Sequence, residues 1–211
     1  MGVVTLSAAY GAGGPEIAPA VAGHLHLPFH DRMIPAQVAG RLGVPVEEAE
    51  ANDETVVGGL WRLVAGLGTM PDTVGGVMPG PGIPDARAFR EQTERVLTEI
   101  ASPAGVGGVV LGRAAAMVLG DRPDVLHVRL GGPRQRRLEV AVARYGRAPR
   151  EIRREMDAND RAREAYVRHF YRADASSPKH YHLVIDSTAL SVDTVVDLVV
   201  TAARSRGIGA D

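Results

Sequence analysis

The 211-residue chain contains no cysteine and a single lysine, Lys179, and each scarcity limits what the protein can do. Without cysteine, the chain forms neither a disulfide nor a zinc–thiolate site. No apolar run approaches the 18 residues typical of a membrane-spanning helix, and no basic segment followed by an apolar one marks a secretory leader. We therefore expect a cytoplasmic protein that neither crosses a membrane nor is secreted.

The chain does contain a large apolar fraction and a very uneven distribution of charge. Hydrophobic residues make up 45% of the sequence, which is enough for one core, and we expect a single domain over residues 1–211. The net charge is −1, yet the segment from Arg129 to Arg172 holds 13 arginines and six acidic residues. Such a basic segment is where an anionic partner would bind.

Apolar strand patterns alternate with helical patterns along the chain. Strands are predicted at 3–7, 107–111, 124–130 and 183–186, with a short apolar step at 27–30. Helices are predicted at 14–24, 32–42, 46–50, 56–67, 86–101, 114–119, 133–145, 149–170 and 192–204, the last capped by Ser191. This alternation predicts an α/β fold with a parallel sheet between two helical layers.

The first strand runs into a glycine-rich turn, Tyr10 to Glu16, and then a helix. In such a turn, backbone N–H groups and the positive end of the helix dipole favour an anion. The usual phosphate loop, G-x-x-x-x-G-K-[ST], adds a lysine and a hydroxyl, and both are missing here. Taken alone, three glycines at this place are more typical of an ordinary strand–helix connection.

Other segments strengthen the interpretation of the turn as a ligand site. Ligands of parallel sheets bind beyond the carboxyl ends of the strands. Four segments of this chain are predicted to fall there, namely 7–14, Asp31, 112–113 and 131–132. Arginines of the basic segment suit phosphates because the planar guanidinium binds them in bidentate fashion, although most of the 13 are expected to be solvated surface residues.

Several motifs in one order resemble the cytidylate-kinase-like family of P-loop nucleoside monophosphate kinases, over nearly the whole chain. They are Ser7-x-x-Tyr10-Gly11-x-Gly13-Gly14-x-Glu16-Ile17-Ala18, Pro28-Phe29-x-Asp31, Gly112-Arg113, Asp160-x-Ala162-Arg163-x-x-Tyr166, Asp174, and Tyr181-His182-Leu183-Val184-Ile185-Asp186. The resemblance implies a three-layer P-loop kinase-like fold. It also implies a helical acceptor-side insertion at about 40–90 and an arginine-rich lid at about 147–175.

The resemblance further implies an activity, which is transfer of the γ-phosphate of ATP to CMP or dCMP, with Mg²⁺ as cofactor. It implies that Arg113 contacts the acceptor monophosphate, that Arg163 lies on the lid over the donor phosphates, and that Asp160 orients the lid arginines. Asp31 resembles the acceptor-side carboxylate. The remaining candidate phosphate-binding residues are Gly11, Ala12, Gly13, Gly14, Pro15, Glu16, Arg134, Arg137 and Arg161.

The loop itself departs from the family pattern, which typically reads Ser-Arg-Glu-Tyr-Gly-Ser-Gly-Gly-Arg-Glu-Ile. This chain has Ala8 and Ala9 in place of the first Arg-Glu, and Pro15 in place of the second arginine. Proline also lacks the N–H that could donate to a phosphate. Besides the kinase, we therefore keep as an alternative a non-catalytic nucleotide-binding protein of the same family.

Further alternatives rank lower. An RNA- or polyphosphate-binding surface on the basic segment would need stacking aromatics, and this segment offers Tyr145, Tyr166, Phe170 and Tyr171. The histidine pairs 24/26 and 180/182 have no carboxylate cluster beside them in the sequence, so no metal site is expected. Trp61 and its helical neighbours Leu60, Leu63, Val64 and Leu67 are assigned to the core or to a homodimer surface.

Overall fold

The computed structural model describes residues 2–30 and 86–209. Several sequence predictions lie outside the described residues, and they stay predictions. They are Asp31, the helices expected at 32–42, 46–50 and 56–67, Trp61, and most of the acceptor-side insertion at about 40–90.

In the described ranges the chain alternates between strand and helix, as the apolar patterns predict. The strands are β1 Val3–Ala8, β2 Phe29–His30, β3 Gly108–Leu111, β4 Val125–Gly131 and β5 Leu183–Asp186. The helices are α1 Gly14–Leu25, α2 Ala86–Ile100, α3 Ala115–Leu119, α4 Arg134–Tyr145, α5 Pro149–Tyr171 and α6 Val192–Ser205, with a 3₁₀ turn at Pro178–His180. Observed and predicted ends differ by one or two residues.

The five strands form one parallel sheet with the order β2-β3-β1-β4-β5. β1 is central, pairing with β3 on one side and with β4 on the other. This arrangement confirms the predicted α/β fold and places the glycine-rich turn at the middle of the sheet's carboxyl edge. Ligands of open parallel sheets bind at that edge.

Helices cover the sheet on both faces, which gives the predicted three layers. On one face, α1 and α6 pack on Val4, Leu6 and Val128 in the larger apolar cluster. On the other face, α2 and α3 pack on Val3 and Val110. Central strands are buried from both sides in such folds, so they are nearly continuous in apolar residues. The predicted cap of α6 is confirmed, since the Ser191 hydroxyl accepts from the Thr194 N–H at 3.2 Å.

The arginine-rich helices α4 and α5 pack against each other outside these layers. They share a small apolar cluster of Leu138, Ala141, Ile152 and Met156, against which Tyr10 of the glycine-rich turn also packs. Because α4 follows β4, this pair stands at the carboxyl edge of the sheet, next to the turn. The predicted lid, at about 147–175, coincides with α5 and the residues after it, and its movement as a lid stays a prediction.

Buried hydrogen bonds on one face of the sheet link β1, β4 and the residue that follows α3. The Thr5 hydroxyl lies 2.7 Å from His127 Nδ1, and His127 Nε2 lies 2.7 Å from the Gly120 carbonyl oxygen. Because a carbonyl can only accept, Nε2 carries the proton and Nδ1 accepts from Thr5. The neutral ring therefore satisfies both bonds. Burial lowers the pKa of His127, and the nearby His182 lowers it further, against the opposing hydrogen bond to Gly120.

We expect stability to fall with decreasing pH because of His127. Its folded pKa is depressed, so below about pH 6.5 the unfolded chain binds a proton that the folded chain does not, and protonation favours unfolding. The contribution of His127 is complete above pH 6.5 and is lost as the pH falls towards the folded pKa. Its slope reaches at most about 1.4 kcal/mol per pH unit.

Urea unfolding of the wild type and of His127→Gln between pH 5.5 and 7.5 measures this contribution. The amide of glutamine offers one donor and one acceptor but does not titrate, so the variant should show a shallower pH dependence. Equal slopes in the two proteins would show that His127 does not control stability in this range.

Candidate functional site

The turn between β1 and α1 has the backbone of an anion-binding loop. Gly11 and Gly13 have φ angles of 78° and 75°, the left-handed region that glycine adopts without strain. Within the described part of the chain, the N–H groups of Gly11, Gly13 and Gly14 donate to no acceptor. Since α1 begins at Gly14, its positive end adds to these donors. Pro15 lies exposed in the first turn of the helix.

Asp160 of α5 bonds both to this loop and to the arginine-rich helix α4. Its Oδ1 accepts from the Tyr10 N–H at 3.2 Å, and its Oδ2 accepts from Arg137 Nη1 at 2.7 Å. Arg137 also donates to the carbonyl oxygens of Tyr10, at 2.8 Å, and Gly132, at 3.1 Å. Asp160 and Arg137 thus position the loop, and the charge of this arginine is balanced by Asp160.

The Tyr10 side chain adds a second attachment between the loop and the lid helices. Its ring packs on the cluster shared by α4 and α5, with its centre 6.1 Å from that of Tyr145. Burial raises the pKa of the Tyr10 hydroxyl well above its ordinary value, and the carboxylate of Glu155 raises it further. The phenol therefore stays neutral, and its role here is packing.

Two other charged candidates are also paired. Arg134 makes a bidentate ion pair with Asp157, with Nη2 at 2.7 and 2.8 Å from the two carboxylate oxygens. Glu16, in the first turn of α1, pairs with Arg144 of α4 at 2.7 Å. Arg161 lies exposed on α5, with no ion pair among the described residues. Of the three additional arginines suggested by the sequence, two therefore have their charge balanced by a carboxylate.

Two arginines beside the start of the loop bond to neutral oxygen atoms. Arg163 Nη1 donates to the Ala8 carbonyl oxygen at 2.7 Å, and Arg129 Nη1 donates to the Ser7 hydroxyl at 3.3 Å. Neither forms an ion pair with a carboxylate of the described ranges. Crowding by protein atoms lowers the pKa of Arg163 although the residue as a whole is exposed, and the neighbouring cations Arg129 and Arg137 lower it further, against the opposing charge of Asp160.

Arg113 follows β3 in an unusual backbone conformation. Gly112, Arg113 and Ala114 are three successive residues with φ angles of 76°, 60° and 51°. For a residue with a side chain, this region costs about 1–2 kcal/mol, so the surrounding structure must hold Arg113 there. Strained residues of this kind cluster at functional sites. The conformation supports the functional interpretation of Arg113.

Aromatic and charged side chains of α2 and α5 meet close to Arg113. Burial raises the pKa of Tyr166, and the positive charges of Arg90 and Arg113 oppose this rise. Tyr166 packs on Phe170 and Tyr171, with ring centres 4.8 and 6.1 Å apart. These three rings pack on one another, and the ranking of the RNA-binding alternative below the kinase stays a prediction.

The structure thus brings together the loop, Asp160, Arg137 and Arg163, while Arg113 lies at the neighbouring strand end. Sequence reasoning missed Arg129 and Ser187, whose hydroxyl donates to the Ala12 carbonyl oxygen at 2.8 Å. A signal for Arg129 was present, because it stands near the carboxyl end of a predicted strand. The signal was weak, since 12 other arginines lie in the same segment.

Two glycines with nearly equal φ angles allow a matched test of how tightly the loop packs. A methyl group at Gly11 would overlap the carbonyl oxygen of Arg137, whereas one at Gly112 would meet no atom within 4 Å. We expect Gly112→Ala to lose about 1–2 kcal/mol of unfolding free energy through backbone strain. Gly11→Ala should lose more, because α4 must also shift.

Chemical denaturation of both variants measures this difference. Equal losses would show that the loop moves away from α4 at no cost, so that Asp160 and Arg137 do not fix its position.

The chain is similar to known proteins, and one protein family matches most of its length. The sequence model of the cytidylate kinase-like family matches residues 3–189. A curated relative, a uronate isomerase of Corynebacterium glutamicum, is 28% identical over 116 residues, which are 55% of this chain and 22% of that protein. The chain therefore spans about a fifth of the length of the curated relative that it matches.

Solved structures share the fold at low sequence identity. An uncharacterised protein of Eubacterium ventriosum is 15% identical with a TM-score of 0.66, covering 97% of this chain and 99% of its own. A sugar kinase of Janibacter sp. is 18% identical with a TM-score of 0.53, covering 100% and 99%. A shikimate kinase of Acinetobacter baumannii in complex with shikimate is 13% identical with a TM-score of 0.50, covering 97% and 94%. These similarities support the P-loop kinase fold.

Proposed function

Because the chain belongs to the cytidylate kinase-like family, we propose that it is a phosphotransferase that moves the γ-phosphate of ATP to a nucleoside monophosphate, CMP or dCMP. One observation carries this proposal. Unpartnered loop N–H groups lie at the carboxyl end of the central strand, beside Arg163, which forms no ion pair with a described carboxylate. Phosphoryl transfer needs this combination, because it depends on positioning and on positive charge.

The donor phosphates would occupy the loop. The N–H groups of Gly11, Gly13 and Gly14 and the positive end of α1 offer donors to their oxygens. Arg163 reaches the same place from α5 and would cover the phosphates from the opposite side. Asp160 and Arg137 would act through the loop by holding its backbone in the binding conformation.

The acceptor would bind next to β3, with its monophosphate on Arg113. The left-handed backbone places this arginine just beyond the strand end, at the same edge of the sheet as the loop. An oxygen of the acceptor phosphate then attacks the γ-phosphorus of ATP, the bond to the β-phosphate oxygen breaks, and ADP leaves. Asp31 is proposed as a second acceptor contact, from the resemblance alone.

Magnesium would enter with ATP, because Mg²⁺ usually keeps several waters and binds phosphate oxygens. Among residues 2–30 and 86–209, no group of three carboxylate or histidine side chains could hold a metal ion. The loop carries no serine or threonine, and Glu16 is paired with Arg144. In the proposed function the ion would therefore be held mainly by phosphate oxygens and water, and we assign no step to the metal.

The main alternative within the same family is a nucleotide-binding protein without turnover. Ala8 and Pro15 favour it, because they stand in place of the two arginines that the family uses, and Pro15 also lacks a backbone donor. A second acceptor class is a small hydroxyl compound. The structural neighbours include a sugar kinase and a shikimate kinase, and the curated relative is a uronate isomerase. Sugars, uronates and shikimate therefore belong in an acceptor panel.

No helix in the described part of the chain is long and apolar enough to cross a membrane. A cytoplasmic location and a homodimer are parts of the proposal that rest on the sequence interpretation.

Substitution of Arg113 tests the acceptor site. We expect Arg113→Ala to weaken CMP binding by about 1.5–3 kcal/mol, the range for hydrogen bonds to charged groups, as measured by calorimetry. Arg113→Gly should lose the same affinity, yet it should be about 1–2 kcal/mol more stable than Arg113→Ala, because glycine relieves the left-handed strain. Unchanged CMP affinity in both variants would show that Arg113 is a surface residue of the strand end.

Restoring the family arginine tests the donor site. Pro15 is exposed, so Pro15→Arg introduces a cation and an N–H without displacing a buried group. We expect the variant to bind ATP more tightly than the wild type and to raise the rate of CMP phosphorylation, which we expect to be slow in the wild type. Both are measured by calorimetry and by coupled detection of ADP.

Brisk wild-type turnover, unchanged by Pro15→Arg, would show that the loop charge is unnecessary. CMP binding without turnover in either protein would favour the non-catalytic alternative.

A further inference from the structure

The loop of this chain contains no lysine or arginine. The neighbouring strand β4 carries an arginine, Arg129, next to the end of β1. We propose that Arg129 of β4 binds the donor's polyphosphate together with Arg163, in place of the arginines that are absent from the loop. This inference rests on the proposed function, since it names a further residue of the same site. Arg129 lies outside the motifs that this chain shares with the family.

The sheet register places Arg129 beside the end of β1, from which the chain enters the loop. Ser7 of β1 pairs with Arg129 of β4, one residue before β1 ends at Ala8. Two residues earlier, Thr5 pairs with His127, and their side chains bond to each other on the face of the sheet. Because side chains alternate along a strand, Ser7 and Arg129 lie on that same face, at its carboxyl end. The 3.3 Å bond from Arg129 Nη1 to the Ser7 hydroxyl agrees with this placement.

The contacts of Arg129 hold its side chain without balancing its charge. Ser7 offers a neutral hydroxyl, and the guanidinium carbon lies 5.6 Å from the centre of the Tyr181 ring. A cation on an aromatic face is held in position and keeps its charge. The Asp174 carboxylate lies near enough to interact with Arg129 through space, but the two form no ion pair, and Asp174 Oδ1 accepts from the Ser176 N–H and hydroxyl at 2.8 and 2.7 Å.

Arg129 and Arg163 differ from the arginines near them, which form ion pairs with carboxylates. Arg134, Arg136 and Arg137, on the helix that follows β4, each pair with a carboxylate: Asp157, Asp186 and Asp160, respectively. Arg129 and Arg163 bond to a hydroxyl and to a carbonyl oxygen, and they lie close enough for the charge of one to affect the other. Two like charges kept together beside a loop of unpartnered N–H groups would be stabilised by an anion with several charges. The triphosphate of ATP is an anion of this kind.

The test measures binding of tripolyphosphate and of ATP, by calorimetry, to the full-length chain and three variants. Arg129→Met removes the charge and keeps the volume, while Arg129→Lys keeps the charge and loses the planar fork. The control, Arg204→Met, removes a charge at the opposite edge of the sheet, where Arg204 donates to the His24 carbonyl oxygen. CMP binding is measured in parallel, and circular dichroism checks that each variant is folded.

We expect Arg129→Met to weaken both polyphosphate ligands about 10- to 100-fold, with CMP affinity changed less than threefold. Arg129→Lys should recover part of this affinity, Arg204→Met should match the wild type, and added salt should weaken wild-type binding. Tripolyphosphate and ATP affinities of Arg129→Met equal to those of the wild type would overturn the proposal. So would a wild type that binds neither ligand.

Failure of the proposed function gives a different result. If the wild type binds ATP and tripolyphosphate through Arg129 but phosphorylates no acceptor, the polyphosphate site stands and the phosphotransferase activity does not. If the wild type phosphorylates CMP and Arg129→Met does so at the same rate with the same ATP affinity, the activity stands and the role of Arg129 is refuted.

Discussion

The structure depends on the way one carboxylate holds the glycine-rich loop. Asp160 accepts from the Tyr10 N–H and from Arg137, and Arg137 in turn donates to the Tyr10 carbonyl oxygen. This bridge ties the end of the central strand to both arginine-rich helices. As a consequence, the loop backbone is fixed while the N–H groups of its glycines stay available. The charge of Arg137 is balanced in making the bridge, so a bound phosphate needs cations from elsewhere.

Much of the fold could be predicted from the sequence, because the determining signals are local. Apolar runs such as Val125–Gly131 are buried on both faces, and the amphipathic pattern of α6 begins at a serine cap. The alternation of strand and helix segments predicts a parallel sheet. The glycine-rich turn after the first strand indicates the edge of the sheet at which ligands bind. Helix ends were the least predictable, since His26 and Arg172 adopt left-handed caps that no sequence pattern indicated.

The site was less predictable, because its chemistry depends on which charges meet in space. A sequence shows that Arg134, Arg137, Arg163 and Arg129 are all basic, but pairing with Asp157 and Asp160 separates the first two from the others. The unusual backbone at Arg113 is likewise a property of three consecutive residues in the fold. In the proposed site of this P-loop kinase-like protein, the loop would supply N–H donors, and Arg129 of β4 and Arg163 of α5 would supply the positive charge.

A crystal structure with a non-hydrolysable ATP analogue and CMP would test this account most directly. The account predicts the β- and γ-phosphates on the N–H groups of Gly11, Gly13 and Gly14, with the guanidinium groups of Arg163 and Arg129 within hydrogen-bond distance of their oxygens. It also predicts the CMP phosphate on Arg113. Phosphates bound away from the loop, or bound there with both guanidinium groups turned away, would contradict it.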